Sequence, residues 1–377
     1  MKTLLKQITY GIIALVSILT SCAVIYNIPE TSDYKKFPFR TIHHDPESVF
    51  HFKYADNLKS VGNYILTNNH RLLPNVVTLD EYLSESKTSA FLIIRNDTIL
   101  YEKYCRKYSE SSIFNTFSVT KVFVTSLIGI ALSEGLIDSL NQPVTDYIPE
   151  LLKTEGFNKV TIRHLLTHTS GIKFSNVMYN PLSDNAKYYY GHNLRKLALN
   201  SKLDSRPGEK VNYGSSNVQL LAMVLERATG MPVTSYLQEK IWQKIGMEYD
   251  ATWSLDNRRK DAIEKGFSCI NCTAIDLAKF GRLYLNEGGY NNQQVIPKDF
   301  LAEAVCRDTT GGSCWNFQYN FRLGPKLYKS YYARGLYGQL IYIYPAKNIV
   351  IIRLGEADLK YNPQFINHIV IQIIDQL

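Results

Sequence analysis

The chain has 377 residues, enough for one large domain or two intimate ones, and 45% of them are hydrophobic, ample for a core. Its 42 basic and 34 acidic residues leave a formal charge of +8, with the charges scattered and no long basic run. That balance gives a mildly basic surface and argues against nucleic acid as a partner.

Residues 1–22 read as a targeting segment. Lys2 and Lys6 precede an uncharged apolar run from Ile8 to about Ile28, and Leu19-Thr20-Ser21-Cys22 lies within it. Small residues before a cysteine resemble the bacterial lipoprotein cleavage box, which would leave Cys22 as a lipidated N-terminus. The other reading is an uncleaved membrane anchor, since about 20 apolar residues span a bilayer. Both export the rest of the chain, so the expected place is the bacterial cell envelope, facing the periplasm or exterior. Residues 23–75 read as a tether and lead-in, with Pro29, Pro38 and Pro46 among polar residues.

Thr78 to Ser86 reads as a helix. Ala90 to Arg95 and Thr98 to Tyr104 read as strands about the turn Asn96-Asp97. Phe117-Ser118-Val119-Thr120-Lys121 runs into an apolar helix that stops at Gly135. Val160 to Thr167 is a short helix ended by Ser170-Gly171, and residues 174–206 are loop and helix, rich in Tyr and Asn. Asn217 to Thr229 carries Leu220, Leu221, Val224 and Leu225 on one face, with Gly230 as its stop. Val233 to Ile245 and Ala274 to Leu285 are further helices. Asn316 to Leu323, Gly338 to Tyr344 and Ile349 to Leu354 are strand-like, and Pro363 to Leu377 closes the chain as a helix. Strands near both ends with helices between them predict an α+β fold. An antiparallel sheet is assembled from about 76–135 and 266–377, with a mainly helical lobe, about 136–265, inserted.

The chemistry centres on Ser118 and Lys121. If Ser118 opens its helix, Lys121 follows one turn later on the same face. A desolvated lysine can lose its proton and serve as base to a serine nucleophile. Ser-x-x-Lys also begins at Ser32, Ser84 and Ser170, but only Ser118 leads into a long apolar helix. The bland alternative for it is a helix cap. Tyr213, in Pro207-Gly208-Glu209-Lys210-Val211-Asn212-Tyr213-Gly214-Ser215, could shuttle protons if nearby cations lower its pKa, or could simply pack. Ser215 could hydrogen-bond a substrate or the amine. Ala333-Arg334-Gly335-Leu336-Tyr337-Gly338-Gln339 could bring a backbone N–H to a developing oxyanion, or be an ordinary turn.

Five cysteines remain after Cys22, an odd number, of which Cys306 and Cys314 could form a local disulfide. Cys269-Ile-Asn-Cys272 has metal-ligand spacing without a second cysteine pair. His164 and His168 lack the glutamate of the zinc-protease motif, Leu165 standing there. No metal or organic cofactor is expected.

In this order the Ser-x-x-Lys, the Tyr-x-Ser after Pro-Gly and the glycine-rich strand resemble the serine β-lactamase and penicillin-binding-protein superfamily. The nearest branch is that of class C β-lactamases, family VIII esterases, D-alanyl-D-alanine peptidases and 6-aminohexanoate-oligomer hydrolases. Thr161-Ile162-Arg163-His164-Leu165-Leu166-Thr167-His168-Thr169-Ser170-Gly171 and Thr273-Ala274-Ile275-Asp276-Leu277-Ala278-Lys279-Phe280-Gly281 are similar to two further stretches of it. The resemblance covers about residues 75 to 377. It implies a β-lactamase/transpeptidase-like fold, Ser118 as nucleophile, Lys121 as base and Tyr213 as proton relay. It also implies an oxyanion hole from the N–H groups of Ser118 and Leu336; Ser215, Arg334 and Gly335 are expected beside it to line the substrate. The substrate would be a small amide, ester or peptide; a D-amino-acid peptidase and an inactive binding protein are the rivals. Two departures stand out. Ser215 replaces the motif's amide side chain, and Ala333-Arg334-Gly335 lacks the first cation of the Lys/His-Thr-Gly strand, which puts β-lactamase activity in doubt. Arg334 is expected to bind a substrate anion in its place, or to point to solvent.

Overall fold

The computed structural model describes residue 10 and residues 28–58, 60–67, 76–177, 180–308, 310, 312–356 and 363–377, of which 363–367 by backbone alone. An eight-stranded sheet organises it. From one edge its strands are Phe317–Gln318, Phe321–Leu323, Tyr331–Arg334, Leu340–Tyr344, Ile349–Gly355, Thr88–Arg95, Thr98–Tyr104 and Lys53–Tyr54. All pairs are antiparallel except the last, where Lys53 and Tyr54 run parallel to Thr98 and Ile99. Ile349–Gly355 lies beside Thr88–Arg95, so distant parts of the chain meet at the sheet's centre. This is the α+β architecture that the strand pattern predicts.

Both faces of the central strands are buried, and the period of two sorts their side chains. Ala90, Leu92 and Ile94 join the larger core, with the helices Thr120–Ser133 and Ala274–Leu285 and the inserted lobe. Phe91 and Ile93 point the other way, to a smaller core that includes Leu79 and Leu83 of Leu79–Glu85 and Ile369 and Ile373 of Pro363–Gln376. Within the lobe, Ser215–Thr229 packs against the helix that follows Ser118.

The expected tether is partly folded structure. Phe39–Ile42 pairs antiparallel with Ala251–Ser254 and enters a second sheet, which Ile270–Cys272 and Phe114–Asn115 complete. Ile65–Thr67 pairs with Val76–Thr78. These strands are two to four residues long and the partner of the first lies some 200 residues away, so no periodicity marks them. Residues 316–323 form a tight hairpin rather than one strand, with Tyr319 and Asn320 at positive φ. The expected helix Val233 to Ile245 is shorter, Val233–Leu237, and continues as a wide turn over Gln238–Trp242. Cys306 and Cys314 are both free thiols, so the local disulfide does not form here. Cys22 and the rest of the leader, apart from Tyr10, lie outside the described residues. No helix among the described residues is long and apolar enough to cross a membrane.

Candidate active site

The second sheet ends where the chemistry begins. Phe114 and Asn115 pair with Cys272 and Asn271, and Thr116 continues the contact, its N–H and Oγ1 both donating to the Ile270 carbonyl. Asn115 Oδ1 then accepts the N–H of Phe117 at 2.9 Å. Phe117 takes φ +47, a conformation that costs a non-glycine residue about 1–3 kcal/mol and persists only where neighbours hold it. Ser118 therefore lies in a short turn, Phe117–Val119, and the α-helix starts at Thr120. The helix-cap alternative fails: the Ser118 hydroxyl makes no cap and instead meets Lys121, whose Nζ donates to Oγ at 2.9 Å.

Lys121 is 2% exposed, and its second donor bond goes to the Phe267 carbonyl at 2.8 Å. Both of these partners are neutral, and Tyr213 shares a hydrogen bond with the same amine. Aromatic faces enclose the rest, with Nζ 5.2 Å from the Tyr213 ring centroid and 5.9 Å from that of Phe267.

Burial pushes the Tyr213 phenol up. The Lys121 ammonium, a hydrogen bond with Ser118 and the Arg322 guanidinium outweigh that and hold it below its ordinary value. The structure thus brings Ser118, Lys121 and Tyr213 together. The ring of Tyr213 stacks on His168, 4.6 Å between centroids, and meets Phe317 edge-on. His168 Nδ1 accepts from the Gly214 N–H and from Asn217 Nδ2, so the proton sits on Nε2, which donates to Asn320 Oδ1 at 2.8 Å. His164 does something else: its Nδ1 accepts the Thr161 N–H and caps the helix Ile162–Leu166. No cluster of metal-binding side chains occurs among the described residues.

Gly335 makes the other side of the site. A Cβ there would lie 2.5 Å from the Thr116 carbonyl oxygen and 3.1 Å from Phe117 Cβ, so only glycine lets the strand end approach the Ser118 turn. Leu336, the next residue, lines the same pocket as Ser118, with Ser215, Tyr189 and Phe267. Ser215 Oγ donates to Asn185 Oδ1 at 3.4 Å, and Asn185 lines the pocket too.

The loop after Gly335 is braced from behind. Arg353, buried in the central sheet, donates through Nη1 to the Tyr337 and Gly338 carbonyls and through Nη2 to the Ser86 carbonyl. Gln339, also buried, exchanges two hydrogen bonds with Gly355. Arg334 points to the same face as Arg322: Arg322 pairs with Tyr332, two residues before Arg334 on its strand. Burial and the nearby Arg322 charge lower the Arg334 pKa. Among the described residues no carboxylate pairs with either arginine, while Arg322 lies 6.0 Å from the Phe317 ring.

Residues 80–360 match the family model described as Beta-lactamase. The chain belongs to this family, and its site has the form of a serine hydrolase's. It is 26% identical over 250 residues to the 6-aminohexanoate-dimer hydrolase of Paenarthrobacter ureafaciens, a match covering 62% of this chain and 60% of that protein. It is 31% identical over 177 residues to Esterase EstB of Burkholderia gladioli, covering 41% and 44%. The match thus spans less than two thirds of either relative. Among solved structures, the Bacillus anthracis chain named "Putative 6-aminohexanoate-dimer hydrolase" superposes with a TM-score of 0.80 at 24% identity, over 92% of this chain and 94% of that one.

Proposed function

We propose that this member of the beta-lactamase family is a serine hydrolase that cleaves a small amide or ester through an acyl-enzyme on Ser118. The observation that carries the reading is the 2.9 Å contact between Ser118 Oγ and the buried Lys121 amine, with Tyr213 closing the triangle. Lys121 Nζ takes the hydroxyl proton as Oγ attacks the substrate carbonyl. The N–H groups of Ser118 and Leu336 hold the oxyanion. The carbonyl–heteroatom bond then breaks, and Tyr213 passes a proton to the departing amine or alcohol. Water reverses the sequence and frees the acid. An inactive binding protein has no use for an acid–base set in this arrangement, and the names of the two curated relatives favour amide or ester chemistry. The unpaired Arg322 and Arg334 favour a substrate that carries a carboxylate.

The test is intact-protein mass after exposure to a fluorophosphonate. One adduct on the wild type and none on Ser118→Ala is the expected result. No adduct on the folded wild type would overturn the reading.

We further propose that the chain is exported and held at the membrane through Cys22. Cys22→Ala should release it from the membrane fraction of a bacterial host; an unchanged distribution removes the lipid.

A further inference from the structure

We infer that Pro29, held in place by residues 30–37, forms a fixed wall of the substrate pocket and sets the size of the group it admits. The inference rests on Ser118 being the acylated residue. Pro29 is buried and lines the same pocket as Ser118, Tyr189 and Leu336. Its carbonyl accepts a hydrogen bond from Tyr337 Oη, and Tyr337 directly follows Leu336. The segment is thus fastened to the loop that carries the second oxyanion donor.

Two more fastenings hold it. Asp33 is fully buried and accepts from Tyr190 Oη at 2.7 Å, Lys36 Nζ at 2.6 Å and the Glu30 N–H at 2.8 Å. Tyr190 ends the helix Asp184–Tyr190 and adjoins Tyr189, whose ring stacks on Phe117 beside the nucleophile. Phe37 then packs edge-on against Tyr189, 5.4 Å between centroids, under the Lys265 ammonium at 4.5 Å. Beyond it, Phe39–Ile42 is paired into the second sheet.

A buried carboxylate with three donors is costly to unmake, because the Asp33 side chain would stay desolvated without them. The segment is therefore a wall rather than a moving lid. A longer substrate arm that reached Pro29 would have to break these contacts to enter, so the pocket discriminates by length.

The experiment compares Pro29→Gly and Asp33→Ala, in the full chain, with the wild type. The first removes the ring of a residue that lines the pocket; the second releases the fastening. The readout is the ratio of kcat/KM for the octyl and the methyl member of two series, p-nitrophenyl esters of straight-chain acids and acetate esters of straight-chain alcohols. Each protein is first checked for fluorophosphonate labelling of Ser118. A ratio at least ten-fold above wild type in one series, in either labelled variant, is expected. Ratios within two-fold of wild type in both series, with both variants labelled, overturn the wall. If Asp33→Ala fails to fold and takes no label, Pro29→Gly alone decides. A wild type that takes no label overturns the hydrolase reading, and the wall with it.

Discussion

The imidazole of His168 lies flat beneath the phenol of Tyr213, with 4.6 Å between ring centroids and 27° between planes. The stack fixes the phenol over Lys121 and requires a neutral imidazole, since a second cation there would repel the amine. Burial, followed by the nearby Lys121 and Arg322 charges, lowers the His168 pKa to about 3 despite the Asn320 hydrogen bond. In the unfolded chain the same ring takes its proton near the ordinary value of 6.5. Above pH 6.5 the neutral ring costs folding nothing. As pH falls from 6.5 to about 3 the unfolded state alone gains the proton, and stability declines. The limiting slope is about 1.4 kcal/mol per pH unit. Urea midpoints for wild type and His168→Gln between pH 7 and 4 check this. The variant should show the shallower acid limb, and parallel limbs would count against a neutral His168.

Tyr213→Phe keeps the ring stack and deletes the proposed proton carrier. General acid–base groups contribute about 10²–10⁴-fold, and a loss of that size in kcat is expected, with KM changed little. The loss should be largest for amides, whose leaving nitrogen needs the proton most. Stopped-flow acylation with an ester and its matching anilide measures the difference.

Arg334→Ala should raise KM about ten-fold for an ester that carries a carboxylate, the size of one charge-assisted contact. A neutral ester of the same shape should be unaffected. Equal kinetics of variant and wild type on both esters would sink the role of Arg334 in anion binding.

Gly335→Ala places a methyl group 2.5 Å from the Thr116 carbonyl. The strand end must recede from the Ser118 turn and take the Leu336 N–H with it. Loss of one oxyanion donor costs about 10²–10³-fold in kcat, and the overpacking itself about 1–3 kcal/mol. Thermal unfolding and kcat, measured together, separate the two effects.

Ser118 and Lys121 are legible in the sequence because one turn of helix fixes their spacing and the apolar run beyond them promises burial. Thr88–Arg95 and Thr98–Tyr104 are legible because an Asn-Asp turn separates two β-rich runs. Phe39–Ile42 is not, for a four-residue strand has too few alternations to declare itself, and what makes it a strand is Ala251–Ser254. Arg353 is hidden in the same way. It sits in a run of isoleucines, and only the fold shows the Tyr337, Gly338 and Ser86 carbonyls around it. His168 and Asn320 stand 152 positions apart, and no local pattern foretells that one orients the other. Asn185 lies in a stretch with no motif at all and reaches the pocket because its helix packs beside Ser215.

The order of strands in the large sheet has a consequence for how the molecule comes into being. Thr88–Arg95 is made early, yet one of its two edges stays bare until Ile349–Gly355 arrives, about 250 residues later, and pairings across such separations form slowly. The loop bearing Leu336 is likewise synthesised long after the turn bearing Ser118. A growing chain therefore carries Ser118 and Lys121 well before the Leu336 N–H that would join them. On the proposed reading the site is complete only when the last strand slots into the middle of the sheet, and a product that stops short of Leu336 lacks that donor.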